Sequence, residues 1–386
     1  WSNEPALNVA TGFTTGFGTQ TNTVTQVNTP NYQGSEKFDG TSWTALPDIG
    51  VASPGGLYGA SAGATGDAGF IGAMSPTVAA VAEWTRSATV VTPATWAAGG
   101  TLNTSRSQLA GAGTKSAGLV FGGTPSSSSS PAATNGQKTE SYDGTTWTNE
   151  NNKTNATRQQ SGFGIQTAAV SFGGYYGGYK SDTEEYGGTS WTAGGAYPGT
   201  ITNGAGGSTG ILTAGLNAGG YGGSSYVSTT FEYDGSSWTA GGAVPFSAQN
   251  LTQFGTQTAA VSAGGWTGSA STTTLEYNGT GWTVVNALPS GATQNGRIGT
   301  QTAGMIYGSY IGAGYNTRSL QYDGTNWITD SNLTTGRGGA GPSTSGGAIT
   351  GAFYAGGDLS ETTVYNVTEE YSAATSAANY KTITTS

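Results

Sequence analysis

One short phrase governs what this chain can become. "EYDGSSW" at 232 to 238 has near-copies in "KFDGTSW" (37 to 43), "SYDGTTW" (141 to 147), "EYGGTSW" (185 to 191), "EYNGTGW" (276 to 282) and "QYDGTNW" (321 to 327). With Trp1 and Trp96, the tryptophans that close these phrases stand at 1, 43, 96, 147, 191, 238, 282 and 327, at intervals of 42 to 53 residues. That period equals one four-stranded propeller blade, and helical repeats of similar length need apolar stripes at 3.6-residue spacing, which are missing. Only Trp84 and Trp266 fall outside the series.

Glycine makes up 68 of 386 residues and charged residues only 9%, a bias that by itself also fits a disordered chain. The 10 Trp, 20 Tyr and 11 Phe, regularly spaced, give the apolar surface that folding requires. A net charge of −9 with 12 Lys and Arg and no basic run argues against nucleic acid or an anionic membrane as partner. No apolar run approaches the roughly 20 residues of a membrane span. Cysteine is absent, which removes disulfides and thiolate chemistry. The opening at Trp1, with neither Met nor a signal-like segment, fits a part of a longer chain.

Residues 147 to 191 show the order within a unit: "WTNENN", "RQQSGFGIQ", "TAAVSFGG", the loop "YYGGYKSD", then "TEEYGGTSW". Short runs between Gly, Asn and Asp clusters read as strands joined by tight turns. The expectation is an all-β chain, residues 1–386 forming one propeller of eight four-stranded blades, with units starting near Trp1, Trp43, Trp96, Trp147, Trp191, Trp238, Trp282 and Trp327. Seven blades plus a terminal extension is the alternative. The terminal units erode, as end repeats do: "AEWTRSATVVTPATW" (82 to 96) replaces the Tyr-to-Trp phrase, and after Tyr371 either Tyr380 or the strand opened by Trp1 has to complete the last blade.

Diglycines at 122 and 123, 173 and 174, 219 and 220, 264 and 265, and 356 and 357, followed by Tyr142, Tyr186, Tyr233, Tyr277 and Tyr371 and usually a Trp, resemble the kelch repeat across essentially the whole chain. Two departures stand out: only four residues separate Tyr from Trp, and units one, two and seven lack the diglycine. The wording "TEEYGGTSWT" with "GIQTAAVSFGG" is also similar to kelch-like arrays in virion structural and tail-fibre proteins of marine bacteriophages. That resemblance implies a virion-surface, extracellular setting with other virion proteins, host-surface glycans and further copies of the chain as candidate partners.

The Asp-Gly pairs at 39, 143, 234 and 323, with Asn278-Gly279, read as hairpin turns, because Gly tolerates positive φ and the Asp side chain accepts the following N–H groups. One acid per unit is too few for a calcium cage of six to eight oxygens, so no metal or cofactor is expected. Tyr142, Tyr186, Tyr233, Tyr277, Tyr322 and Tyr371, with Trp43, Trp147, Trp191, Trp238, Trp282 and Trp327, read as packing between blades. Arg106, Arg158, Arg297 and Arg337 read either as lining a central channel or, preferably, as bonding carbonyls of a neighbouring blade. Glu140, Glu184, Glu185, Glu232, Glu276, Glu369 and Glu370 read as solvated strand positions.

No histidine is present, which excludes a Ser-His-Asp triad, a Cys-His pair and histidine-ligated zinc. The turn phrase misses the aspartate box of sialidase propellers by register, since Gly follows Asp directly. No unit carries a distinctive acid pair for glycoside chemistry, and a non-enzymatic protein is expected. The loops after the second strand differ between units: "YYGGYKSD" (175 to 182), "YGGSSYVS" (221 to 228), "WTGSASTT" (266 to 273), "YIGAGYNT" (310 to 317) and "TPSSSSSPAATNGQ" (124 to 137). Aromatic rings among small polar residues have the composition of recognition loops, which makes Tyr175, Tyr176, Tyr179, Tyr221, Tyr226, Trp266, Tyr310 and Tyr315 candidates for glycan or protein binding. Shielding of the blade tops is the competing role.

Overall fold

The computed structural model describes residues 6–8, 13–20, 22–28, 35–46, 58–65, 68–75, 78–86, 90–125, 133–203, 207–311, 314–343, 347–360, 363–377 and 380–383. Trp1 and residues 126–132 of the long loop lie outside them. The chain is all-β and contains the eight four-stranded antiparallel sheets expected of a multi-blade propeller. It divides into two compact units, Pro93–Ala374 and a second made of Trp1–Thr92 with Thr375–Ser386.

In the larger unit six sheets form a closed ring of blades. Their inner strands are Ala110–Thr114, Ser161–Ile165, Ser208–Ile211, Thr252–Gly255, Gly296–Thr300 and Gly341–Pro342, each packed on the next and the last on the first. Small residues dominate these strands, because near the axis only short side chains fit. Each blade then runs outward through a second strand, a third ending at the repeat Tyr and a fourth opened by the repeat Trp.

The turn between third and fourth strands works as its residues dictate. Asp234 Oδ1 accepts the Ser236 and Ser237 N–H groups, both at 2.8 Å, while Gly235 takes φ +95°. Tyr233 then pairs with Trp238 across the hairpin, and their rings lie 4.8 Å apart. The same geometry recurs at Asp39, Asp143, Asn278 and Asp323.

The sixth blade is completed by neither Tyr380 nor Trp1. Thr95–Ala98 supplies its outer strand, with Trp96 opposite Tyr371 in the register that Trp147 keeps opposite Tyr142. The reason is local: "TEEYSAATS" has no Asp-Gly turn and no Trp within hairpin reach, while Trp96 has no Tyr strand before it. Each phrase is the complement of the other. Pairing them ties residue 96 to residue 371 and removes the open sheet edge.

In the smaller unit one sheet comprises Phe13–Thr19, Asn22–Asn28, Ser35–Phe38 and Trp43–Leu46, and packs through its first strand on Tyr58–Thr65 of a sheet completed by Ala68–Ser75, Val78–Arg86 and Tyr380–Ile383. The phrase at 37 to 43 forms the same hairpin as in the ring, with Phe38 for Tyr and rings 5.1 Å apart. Strand Tyr380–Ile383 pairs with Val78–Arg86.

Candidate functional site

The repeated phrase is a joint, and each residue of "TEEY…W" has a separate task in it. The repeat Tyr residues are at most 2% exposed. Every outer Trp donates its indole N–H to a hydroxyl three residues before the Tyr of the preceding blade: Trp191 to Thr139 at 2.9 Å, Trp238 to Thr183 at 3.1 Å, Trp282 to Thr230 at 2.9 Å, Trp327 to Thr274 at 3.0 Å, Trp96 to Ser319 at 3.1 Å and Trp147 to Thr368 at 2.9 Å. Each Tyr hydroxyl also reaches back. Tyr277 donates to Glu232 at 2.6 Å and Tyr322 to Glu276 at 2.7 Å, while Tyr142 bonds Glu370 and Tyr233 bonds Glu185. Burial first, then the carboxylate, pushes the Tyr142 and Tyr277 phenols up to about 12. Where the acid is missing, a neighbour substitutes: Tyr371 turns to Asp330, and Tyr186 to the Gly188 carbonyl at 3.0 Å with Glu150 alongside.

The acids two residues before the Tyr are buried, which corrects their assignment as solvated positions. Glu140 pairs with Arg106 at 2.8 Å and Glu369 with Arg337 at 2.8 Å, while Lys153 serves Glu184 at 3.5 Å. The same carboxylates accept backbone N–H groups at the entry to the blade, from Asn103, Thr154 and Thr334, each at 2.7 Å. In the third, fourth and fifth blades the register holds Phe231, Leu275 and Leu320 instead. An ion pair and an apolar contact fill the same slot of one ring.

The four arginines therefore divide. Arg106 and Arg337 bond carbonyls of their own blade, Gly122 at 2.6 Å and Tyr354 at 2.7 Å, because one register places each beside its own third-strand acid. Arg297 belongs to the channel. Rooted on the inner strand of the fifth blade and 0% exposed, it donates to Ser208 O at 2.7 Å in the third and Gly162 O at 3.0 Å in the second. In a ring of six that reach crosses the axis. Burial lowers its pKa to about 10, and the carbonyls hold it as a cation at neutral pH.

Arg158 differs from all three. The segments entering the inner strands run Arg106-Ser107-Gln108, Thr157-Arg158-Gln159, Ile201-Thr202-Asn203, Ala248-Gln249-Asn250, Ala292-Thr293-Gln294 and Arg337-Gly338-Gly339, with the middle residue bridged to the one after the diglycine or, in the fifth blade, after Gly308-Ser309. Arg158 thus stands one residue later than Arg106 and Arg337, and on a strand-like segment one residue reverses the side chain. Half-buried, it lies over the Tyr175 ring at 5.3 Å and donates to Gln108 Oε1 at 3.1 Å; burial lowers its pKa. Counting from Trp placed the arginines together, whereas counting from the diglycine separates them.

The bridges Arg158↔Tyr175, Thr202↔Tyr221, Gln249↔Trp266 and Thr293↔Tyr310 bring the candidate aromatics to the face where the chain enters the inner strands. One row runs Tyr175, Tyr179, Tyr221 and Tyr226, with edge-to-face ring separations of 5.2, 5.5 and 5.9 Å. Tyr179 is its exposed member, at 37%, and Tyr176 of the same loop, outside the row, is exposed at 36%. Burial first, then Tyr221, raises the Tyr179 pKa. A second group joins Trp266 to Tyr310 at 6.1 Å and Tyr310 to Tyr315 at 5.4 Å; all three are half-buried. Tyr315 donates to Asp358 at 3.0 Å, and burial followed by that carboxylate raises its pKa. Among the described residues no cluster of three or more metal-ligating side chains is present. Chemically, the first row offers flat apolar rings, phenol hydroxyls and one guanidinium. Compared with models of protein families and with curated proteins, the chain matches none.

Proposed function

We propose that this protein is a non-enzymatic binding module of a bacteriophage particle, an adhesin that holds a host-surface glycan through the aromatic loops of its second and third blades. The observation that carries this reading is the exposed Tyr179, part of a row of rings that already support one another edge to face, with the exposed Tyr176 in the same loop. Such rings keep apolar faces at the surface without losing much rotamer freedom on binding, and sugar rings stack on them. The kelch-like wording of the repeats and its likeness to marine phage arrays supply the setting: the virion surface, with other virion proteins as neighbours. A non-enzymatic role is supported by where the repeated acids go, since Glu140, Glu184 and Glu369 hold cations and Glu185, Glu232, Glu276 and Glu370 hold tyrosines.

The second group favours another role. Trp266, Tyr310 and Tyr315 are half-buried, with the last tied to Asp358, as in a decoration or spacer domain whose aromatics shield the blade tops. The experiment that separates the two is replacement of Tyr176 and Tyr179 by Ala. Attachment to host cells or immobilised glycan is expected to weaken about tenfold or more, from roughly 0.5–1.5 kcal/mol per lost ring contact. Unchanged attachment by a folded double variant refutes the aromatic-face reading.

A further inference from the structure

The smaller unit repeats the architecture of the ring without closing it. Its two sheets pack through their inner strands, Phe13–Thr19 on Tyr58–Thr65, in the way that consecutive ring blades pack Ala110–Thr114 on Ser161–Ile165. Every inner strand of the ring lies between two others, whereas among the described residues Phe13–Thr19 and Tyr58–Thr65 each have one such neighbour. The strand register shows what this leaves open. Gly18 pairs with Thr23 as Gly113 pairs with Gly118 and Gly164 with Ala169, which sets Gly16 at the place of Gly111 and Gly162. In the six ring blades that place holds Gly111, Gly162, Ser208, Gln253, Arg297 and Pro342, all buried. A Cβ at Gly162 meets Phe121 of the preceding blade at 2.5 Å, and one at Gly111 meets the Pro342 carbonyl at 2.2 Å. Gly16 is exposed instead, and so is Gly18 where Gly113 and Gly164 are buried.

The wide end of the same sheet is covered as in the ring. Asn8 donates its N–H to Glu36 and its amide to the Trp43 carbonyl, both at 2.9 Å, as Asn103 does to Glu140 and Trp147, and Phe38 is buried. The joint inside the pair, however, lacks an indole bond. Ser35 Oγ, 0% exposed at the register of Thr139 and Thr183, has no hydrogen-bond partner, and the following sheet carries Thr382 opposite Trp84 where ring blades carry Trp opposite Tyr. Blade-to-blade contact is heterologous, one face of a blade meeting the other face of the next, so it repeats until the rotation closes. In this chain it closes at six. We infer that Phe13–Thr19 of one copy docks on Tyr58–Thr65 of a second copy, and that three copies of the smaller unit complete one six-bladed ring. The occupant is another copy because the open strand continues a blade contact that the pair already makes once, and two blades per copy reach six in three. An isolated pair has one blade contact for two sheets, whereas a closed ring has one for every sheet and adds a stabilising neighbour term each time.

The test uses the full chain. Sedimentation equilibrium is expected to give a mass three times the 38.5 kDa of one chain, and any other number of copies overturns the inference. Because the chain has no cysteine, single replacements can mark the docking strands. Thr19 and Thr65 end the two inner strands at the same place, each in the last pair before the turn. Chains carrying Thr19→Cys alone are mixed and refolded with chains carrying Thr65→Cys alone, each variant first checked for the wild-type mass and unfolding temperature. A short bismaleimide is then expected to couple the two different chains to each other. Three copies without that coupling place the assembly on another surface and overturn the docking strands. The wild-type mass decides the matter by itself where a variant does not fold.

Discussion

Removing the Arg106 guanidinium gives the sharpest test of how the ring is held. Arg106 and Glu140 are both 0% exposed and 2.8 Å apart, and the guanidinium also serves the Gly122 and Lys138 carbonyls at 2.6 and 3.1 Å. Arg106→Met leaves a carboxylate in a dry site with only the Asn103 N–H groups, at 2.7 and 3.1 Å, and takes the guanidinium from the Gly122 carbonyl, while the Lys138 carbonyl keeps the Gly122 N–H at 2.9 Å. Breaking a buried pair in this way costs about 3–5 kcal/mol. At roughly 2–4 °C per kcal/mol for a large domain, the unfolding temperature should fall by about 6–20 °C. The companion Arg106→Met/Glu140→Leu removes both charges and copies the arrangement of sibling blades, where Leu275 and Leu320 are buried at the Glu140 register. Replacing a pair with apolar residues is commonly neutral or stabilising by about 1–4 kcal/mol, so the double variant should recover most of the loss. Asn103 is exposed, so water can replace the carboxylate it loses. Urea titrations of wild type, both single variants and the double variant close the cycle. A single-variant loss under about 1 kcal/mol, or a double variant as unstable as the sum of its singles, refutes the argument.

Two further outcomes follow from the turns and the blade contacts. The Asp234 carboxyl sits at about 2 against 3.8 when unfolded, held down first by the Ser237 N–H and then by Ser236, and Asp39 is depressed likewise. The folded form binds fewer protons in that window, so stability is complete above about pH 4 and declines as pH falls toward 2. Asp234→Asn should keep the turn, as Asn278 does with bonds of 3.0 Å to Thr280 and Gly281, while flattening that acid slope in denaturation midpoints between pH 2 and 5. An unchanged slope would show that the turn acids are not its source. Gly264→Ala places a Cβ into the Ala292 carbonyl oxygen at φ +70° and crowds the Gly265 N–H bond to the same carbonyl at 2.8 Å. A loss of about 1–3 kcal/mol is expected from that strain, read by thermal unfolding, and a neutral variant would mean the blades can part without cost.

The joint was legible because it repeats. The phrase "EYDGSSW" carries its chemistry in fixed order, and a turn built from Asp-Gly between strands can be inferred from side-chain length and φ preference alone. The aromatic loops were legible as a set because each follows a diglycine, or Gly308-Ser309 in its place. What misled was treating equal residue types as equal positions. Arg106, Arg158, Arg297 and Arg337 lie at similar distances from Trp, yet one reaches across the axis, two stay within their blades and one turns to the face. The repeated Glu residues looked solvated because nothing local shows that the next blade brings a Tyr hydroxyl to some of them, or that the segment entering their own blade brings a buried cation to the others.

By itself the sequence determined the all-β class, the four-strand unit, the hairpin turns and the pairing of Tyr142, Tyr186, Tyr233, Tyr277 and Tyr322 with the Trp of the same phrase, because these depend on residues within one period. Only the tertiary structure decided which Trp completes which blade, how many sheets close on one another and which arginine faces outward. Those choices depend on residues far apart in the chain, such as Trp96 with Tyr371 and Arg297 with Gly162, and on a one-residue register that reverses a side chain without changing the composition around it.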